Sequence, residues 1–208
     1  HSSLQGAGYG GSEKGSAAGH PGFCDEKGRR ILIGWAGIGD ADYDNAPTVA
    51  AGWQHALTLP REITWSDGRL LQNPLPELKE LRGTELSIGE ECYAADTVFE
   101  IVADEIDADC LVQISTGEEA FCARYEAGIF DFSLTDGAGR GRKSRKIRIR
   151  DLRRIRLIID NSMVEIYIND GEYVMTSRFY FPDDQRKIKV KGARETKMWY
   201  LKGLEIVK

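Results

Sequence analysis

From Gly83 to its C-terminus this chain repeats one pattern, in which a short alternation of apolar and polar residues ends in a cluster of turn formers. Phe99 and Ile101 alternate with charged or small neighbours, Val112 and Ile114 come next, and residues 121–126 and 129–134 continue the series. A period of two sends successive side chains to opposite faces of a strand, so each run buries one face and wets the other. The clearest hairpin joins residues 153–160 to residues 162–169 through Asp160-Asn161, with Val164, Ile166 and Ile168 inward and Glu165 and Tyr167 outward. Asn169-Asp170-Gly171 is the next tight turn, and strands over residues 172–181, 187–190 and 197–206 complete the set. With no long amphipathic helix and no short internal repeat, this cadence predicts an all-β sandwich.

The preceding stretch has its own organisation. Residues 31–36 read as a buried strand, and a Gly-, Asp- and Asn-rich loop separates them from strands over residues 54–59, 61–65 and 69–72. Ser66-Asp67-Gly68 joins the last two, its Asp-Gly supplying residues that tolerate positive φ. Four antiparallel strands make one propeller blade. Pro74 and Pro76 then break the sheet, and residues 77–82 allow about one and a half helical turns with Leu78 and Leu81 on one side. Trp35, a large indole at a strand end beside an acidic loop, fits the wall of a sugar site and equally an ordinary meander. Residues 1–22 are rich in Gly, Ser and Ala and are expected to be flexible, with too little apolar surface to offset the entropy of ordering; His20 within them has no visible partner.

The segments GRRILIGWAGIGDADYDNAP, GWQHALTLPREI and LLQNPLPELKELR resemble, in that order, glycoside hydrolase family 32, the invertases, levanases and sucrose-6-phosphate hydrolases. IDNSMVEIYINDGEYVMTSRFYFP, residues 159–182, is similar to the hallmark of that family's C-terminal sandwich. The resemblance covers residues 23–208. It implies the last blade of a truncated five-bladed propeller over residues 23–75, a linker over 76–84 and a β-sandwich over 85–208, so that the chain is expected to be a fragment. It also implies a parent enzyme that hydrolyses β-fructofuranosyl bonds with retention and without cofactor or metal. Retaining glycosidases need two carboxyl groups roughly 5 to 5.5 Å apart. In the family the nucleophile lies in Trp-x-Asn-Asp-Pro-Asn-Gly and a transition-state stabiliser in Arg-Asp-Pro, and neither motif occurs here. The acid/base glutamate of the family precedes a cysteine, but Glu91-Cys92 lies beyond the linker and is succeeded by Tyr93 instead of proline. No catalytic residue is therefore assigned, and this chain alone is expected to be inactive. Trp35 matches the tryptophan of the family's Gly-Trp-Met, which lines the fructosyl pocket, with Ala36 in place of methionine.

The remaining features point away from other classes. A net charge of -5 gives no reason to expect nucleic acid or a membrane as partner, and the longest apolar runs are strand-length. Cys24, Cys92, Cys110 and Cys122 lack metal-ligand spacing, and with no signal peptide in view they read as free thiols in a cytoplasmic protein. Asp40, Asp42 and Asp44 alternate but lack the glycine and glutamate of a calcium loop. Arg140 to Arg156 is a basic run without aromatic residues, read as a solvated outer face on two half-buried strands. The alternative to the hydrolase fragment is a non-catalytic carbohydrate-binding or interaction module whose sandwich binds glycan through exposed Tyr167, Tyr173 or Tyr180.

Overall fold

The computed structural model describes residues 22–37 and 41–203. The expected flexible segment lies outside these residues except for Gly22, and His20 and Asp40 lie outside them too. The described chain is all-β, with a four-stranded antiparallel sheet, a two-stranded ribbon and a ten-stranded curled sheet.

The small sheet is formed, in spatial order, by β1 (Gly22–Cys24), β2 (Arg30–Leu32), β5 (Arg61–Ser66) and β6 (Arg69–Pro74). Asp67 and Gly68 turn β5 into β6 with φ of 50° and 75°, as the Asp-Gly pair predicts. The four strands are not the four expected from sequence. The apolar run over residues 31–36 breaks after Leu32, because Gly34 turns its backbone to Thr58: its N–H donates to Thr58 Oγ1 at 2.8 Å and its carbonyl accepts from Thr58 N at 2.8 Å. Beyond the break the chain forms a separate ribbon of β3 (Trp35–Ala36) and β4 (Ala56–Leu57), and β1 takes the fourth place in the sheet. A short helix, α1 (Ala46–Ala50), lies between the ribbon strands in sequence.

The segment expected as a linker forms a 3-10 helix, Pro76–Leu81. Three residues per turn place Leu78 and Leu81 on one side, as the sequence spacing required.

The large sheet comprises β7 (Leu86–Ser87), β8 (Glu91–Ala94), β9 (Val98–Thr116), β10 (Glu119–Glu126), β11 (Ile129–Leu134), β12 (Arg145–Arg148), β13 (Ile155–Asp160), β14 (Met163–Ile168), β15 (Tyr173–Arg178) and β16 (Arg186–Tyr200). A second short helix, α2 (Asp136–Gly139), comes after β11. Two long strands make the sheet into a sandwich. The first part of β9 pairs with β13, from Val98↔Asp160 to Ala103↔Ile155, and its last part pairs with β10, from Cys110↔Tyr125 to Thr116↔Glu119. β16 accompanies β9 through both parts, from Tyr200↔Phe99 to Lys187↔Ser115. Both strands bend at the corner, where Glu105 has φ 52°, Gly192 has φ 81° and the register shifts between Lys191 and Ala193. Strands that switch sheets through a bulge are how one sheet closes over its own core. Gly192 is required there, since a Cβ would stand 1.9 Å from the Asp109 carbonyl oxygen.

The core fills the space between the two layers with Phe99, Ile101, Val112, Ile114, Leu157 and Ile166, all fully buried. Phe121 anchors an aromatic cluster, edge-on to Phe179 at 4.9 Å and tilted against Phe132 at 5.8 Å.

β14 is buried on both faces. Val164, Ile166 and Ile168 face the core as predicted, but Glu165 and Tyr167, expected to face solvent, are each 1 % exposed. The blade covers them. Leu59 N donates to Glu165 Oε1 at 2.6 Å, and Arg61 donates to Glu165 Oε2 through Nε at 3.1 Å and through a terminal nitrogen at 2.6 Å. The Tyr167 hydroxyl donates to the same oxygen at 2.6 Å. Burial works against the Arg61 cation, but Glu165 outweighs it and raises its pKa; burial and the same carboxylate push the Tyr167 phenol well above its ordinary range. Tyr180 is buried as well and Tyr173 packs against the core, so the glycan-binding face envisaged for these three tyrosines is taken up by packing.

The basic run also departs from a single solvated face. Lys146 and Arg148 do point outward from the edge strand β12, but Arg142 is 6 % exposed and Arg156 turns onto the buried carboxylate of Glu100. Two guanidinium groups, Arg82 and Arg156, share that carboxylate, and Arg82 lies over the Trp199 ring at 4.0 Å.

Candidate functional site

Trp35 stands on the β3–β4 ribbon with its indole 44 % exposed and its ring tilted at 59° against His55, 5.0 Å between centroids. Leu57, opposite Trp35 in the ribbon, is exposed, and Trp53 is half-exposed nearby in sequence with Arg178 beneath its ring at 4.8 Å. An open aromatic face of this kind offers a pyranose or furanose ring apolar contact that excludes water. The sequence identified Trp35 but carried no sign of His55, which lies in a different predicted strand.

The acidic loop that leads away from Trp35 is tied to the sandwich. Asp44 accepts from Ala46 N at 2.6 Å and from the Arg140 guanidinium. The Ala46 bond, then Arg140, holds the Asp44 carboxyl below the usual carboxylate range. Asn45 receives the Tyr180 hydroxyl at 2.8 Å and the Arg142 guanidinium, while Arg142 lies over the Tyr43 ring at 4.9 Å. Gly141 lets the two segments meet, since a Cβ there would stand 2.5 Å from the Asp42 carbonyl. Asp42 and Asp44 belong to no metal-binding cluster among the described residues.

A general acid needs a carboxyl whose pKa is raised. Asp44 is shifted the other way. Glu91 stands on β8 in the sandwich, ion-paired with Lys187 at 2.8 Å and Lys189 at 3.3 Å, and the Lys187 contact above all lowers its pKa. All four cysteines are free thiols.

A concavity of about 460 Å³ lies between the 3-10 helix and the sandwich. Several charged side chains lining it are ion-paired: Arg154 meets Asp104 at 3.4 Å and Asp170 at 3.7 Å, and Lys197 meets Glu85 at 3.5 Å and Glu195 at 3.2 Å. No helix among the described residues is long and apolar enough to cross a membrane.

Two family models match the chain: the glycosyl hydrolases family 32 N-terminal domain over residues 13–74 and the glycosyl hydrolases family 32 C-terminal domain over residues 110–206. The sucrose-6-phosphate hydrolase of Vibrio alginolyticus is 35% identical over 194 residues, which is 88% of this chain and 38% of that protein. Among solved structures, the sucrose-6-phosphate hydrolase from Lactobacillus gasseri superposes with a TM-score of 0.74 at 22% identity, covering 86% of this chain and 40% of its own. A family 32 β-fructofuranosidase of Bombyx mori, solved with sucrose, gives 0.67 at 21% identity, covering 88% of this chain and 40% of its own. This chain thus spans about two fifths of the length of these proteins.

Proposed function

This chain belongs to glycoside hydrolase family 32, and we propose that it supplies the final propeller blade and the sandwich of a retaining β-fructofuranosidase. The blade is assigned to residues 23–75, the linker to 76–84 and the sandwich to 85–208. The substrates are β-fructofuranosides, namely sucrose, sucrose 6-phosphate or a fructan. Trp35 is the fructosyl wall of that site. The observation that carries this reading is the half-exposed Trp35 indole, open to solvent on a ribbon that the sandwich anchors.

Cleavage with retention needs a carboxylate nucleophile on one side of the anomeric carbon and a carboxylic acid to protonate the leaving oxygen on the other. The motifs that hold these groups do not occur in the 208 residues, so Trp35 contributes binding and orientation and no proton or nucleophile. Binding substrate and transition state equally does not speed the chemical step. The chain by itself is therefore assigned no turnover, no cofactor and no metal, and its place is the cytoplasm.

The test grafts this chain onto the part of the Vibrio alginolyticus relative that it does not cover and assays release of fructose from sucrose 6-phosphate. The graft is expected to be active and to lose activity on Trp35→Ala, while the chain alone releases none. Turnover by the chain alone at about 1 per second or faster, or a folded graft indifferent to Trp35→Ala, would refute the reading.

A further inference from the structure

The indole proposed to face the sugar stands on a ribbon too small to hold itself. β3 and β4 share two residue pairs, and a lone two-stranded ribbon is marginal in water. Besides the packing of β3 on β15, support comes from Thr58, which accepts the Gly34 N–H and donates its own N–H to the Gly34 carbonyl, each at 2.8 Å. Both backbone groups of the residue before Trp35 are thereby fixed. The Thr58 hydroxyl donates in turn to the Leu59 carbonyl at 3.2 Å, and the Leu59 N–H donates to Glu165 Oε1 at 2.6 Å. The other oxygen of Glu165 receives Arg61, so one carboxylate grips the chain on both sides of Pro60.

The other end of the same segment is held too. Arg178 donates to the Gln54 carbonyl at 3.3 Å and underlies Trp53. Glu165 and Arg178 stand on the adjacent strands β14 and β15. Since β14 is covered on both faces, the anchor itself has little room to move.

We infer that Glu165, a sandwich residue, is a positioning residue for Trp35 in the blade, acting through Leu59, Thr58 and Gly34. The inference rests on reading Trp35 as the fructosyl wall. A carboxylate suits the role because both of its oxygens accept, whereas glutamine would turn an N–H donor toward either Leu59 N or Arg61. The sandwich then does more than stabilise the blade: it sets the angle of the one aromatic surface that this chain offers to substrate.

Nuclear magnetic resonance of the indole N–H groups tests this on the chain as it stands. The chain has four tryptophans, and Trp35→Phe identifies the Trp35 signal. Glu165→Gln is expected to move the Trp35 indole and to raise amide exchange at Gly34 and Leu59 by about tenfold, the factor of one charge-assisted hydrogen bond. Trp199, held by Arg82 at the linker, stays in place. Thr58→Val removes the acceptor for Gly34 and is expected to give the same Trp35 shift while Leu59 remains protected. Tyr167→Phe, which removes one donor from Glu165 without freeing Leu59, leaves Trp35 unmoved. If Glu165→Gln moves all the indoles together, or frees Leu59 without moving Trp35, the relay does not exist. Should that variant fail to fold, an unmoved Trp35 in folded Thr58→Val overturns the inference on its own. None of these signals depends on sugar, so they fail separately from the graft experiment with Trp35→Ala.

Discussion

Replacing Gly171 by alanine is expected to wedge the blade away from the sandwich. Gly171 has φ +90°, and a Cβ built on it would lie 2.4 Å from the oxygen, 2.7 Å from the carbonyl carbon and 2.9 Å from the nitrogen of Gln72. These are backbone atoms of β6, so no side chain can swing aside to make room. Relieving the closest approach to an ordinary contact moves β6 by about 1 Å. Two hydrogen bonds cross at this point, Gln72 N to Gly171 O at 3.0 Å and Asn73 Nδ2 to Asp170 O at 2.7 Å. The left-handed φ costs an alanine about 1 kcal/mol, and weakening the two bonds costs about 1 kcal/mol each. The sum, about 2–3 kcal/mol, corresponds to a fall in Tm of about 5–10 °C for a chain of this size. Gly68→Ala is the matched control: its φ is +75° and no atom lies within 4 Å of the added Cβ, so it carries the dihedral cost alone. Thermal melts of both variants, with amide exchange along β6 and β14, measure the difference. Melting temperatures within about 1 °C of each other would refute the wedge and show that the contact at Gln72 contributes little to seating the blade.

Arg61→Ala leaves the carboxylate of Glu165 buried at 1 % exposure without its cation, and urea unfolding is expected to show a loss of about 3–5 kcal/mol. Glu77 accepts from Arg29 and Lys27, and the Arg29 contact chiefly holds its carboxyl down to about 2 from an ordinary 4.5. A folded pKa below the unfolded one means that this contact stabilises the fold above pH 4.5 and that the contribution disappears as pH falls toward 2; a carbon-13 titration of Glu77 should show the low midpoint, and Arg29→Gln should return it upward. Thiol titration in denaturant is expected to find all four cysteines free, and two or fewer would contradict the structure. In the native protein exposed Cys24 should react first and Cys110 last, because burial pushes the Cys110 thiol up to about 12.

Much of this protein is legible residue by residue. The hairpin of β13 and β14 forms where the alternation and Asp160-Asn161 place it, in the register Ile155↔Ile168 to Asp160↔Met163. The Asp67-Gly68 turn and the short linker helix arise from turn chemistry and proline placement, which are local. Trp35 as a site residue is a proposal that rests on the motif around it. His55, Arg61 and Glu165 are not legible in the sequence: the first two come from the segment after the acidic loop and Glu165 from the sandwich, and no spacing connects either to Trp35.

What the sequence determined by itself is which residues share a face: period-two alternation comes from strand geometry alone and requires no knowledge of neighbours. What covers a face is decided only when the segments meet. Glu165 and Tyr167 look solvent-facing beside Val164 and Ile166, and they would be so in an isolated sandwich. The blade arrives from about a hundred residues upstream with Leu59 N and Arg61 in position to pair with Glu165, and these groups join the Tyr167 hydroxyl in satisfying the buried carboxylate. The same dependence split the apolar run over residues 31–36, whose composition permits one continuous strand. Tertiary structure gave Gly34 a partner in Thr58, and the strand ended where that hydrogen bond began.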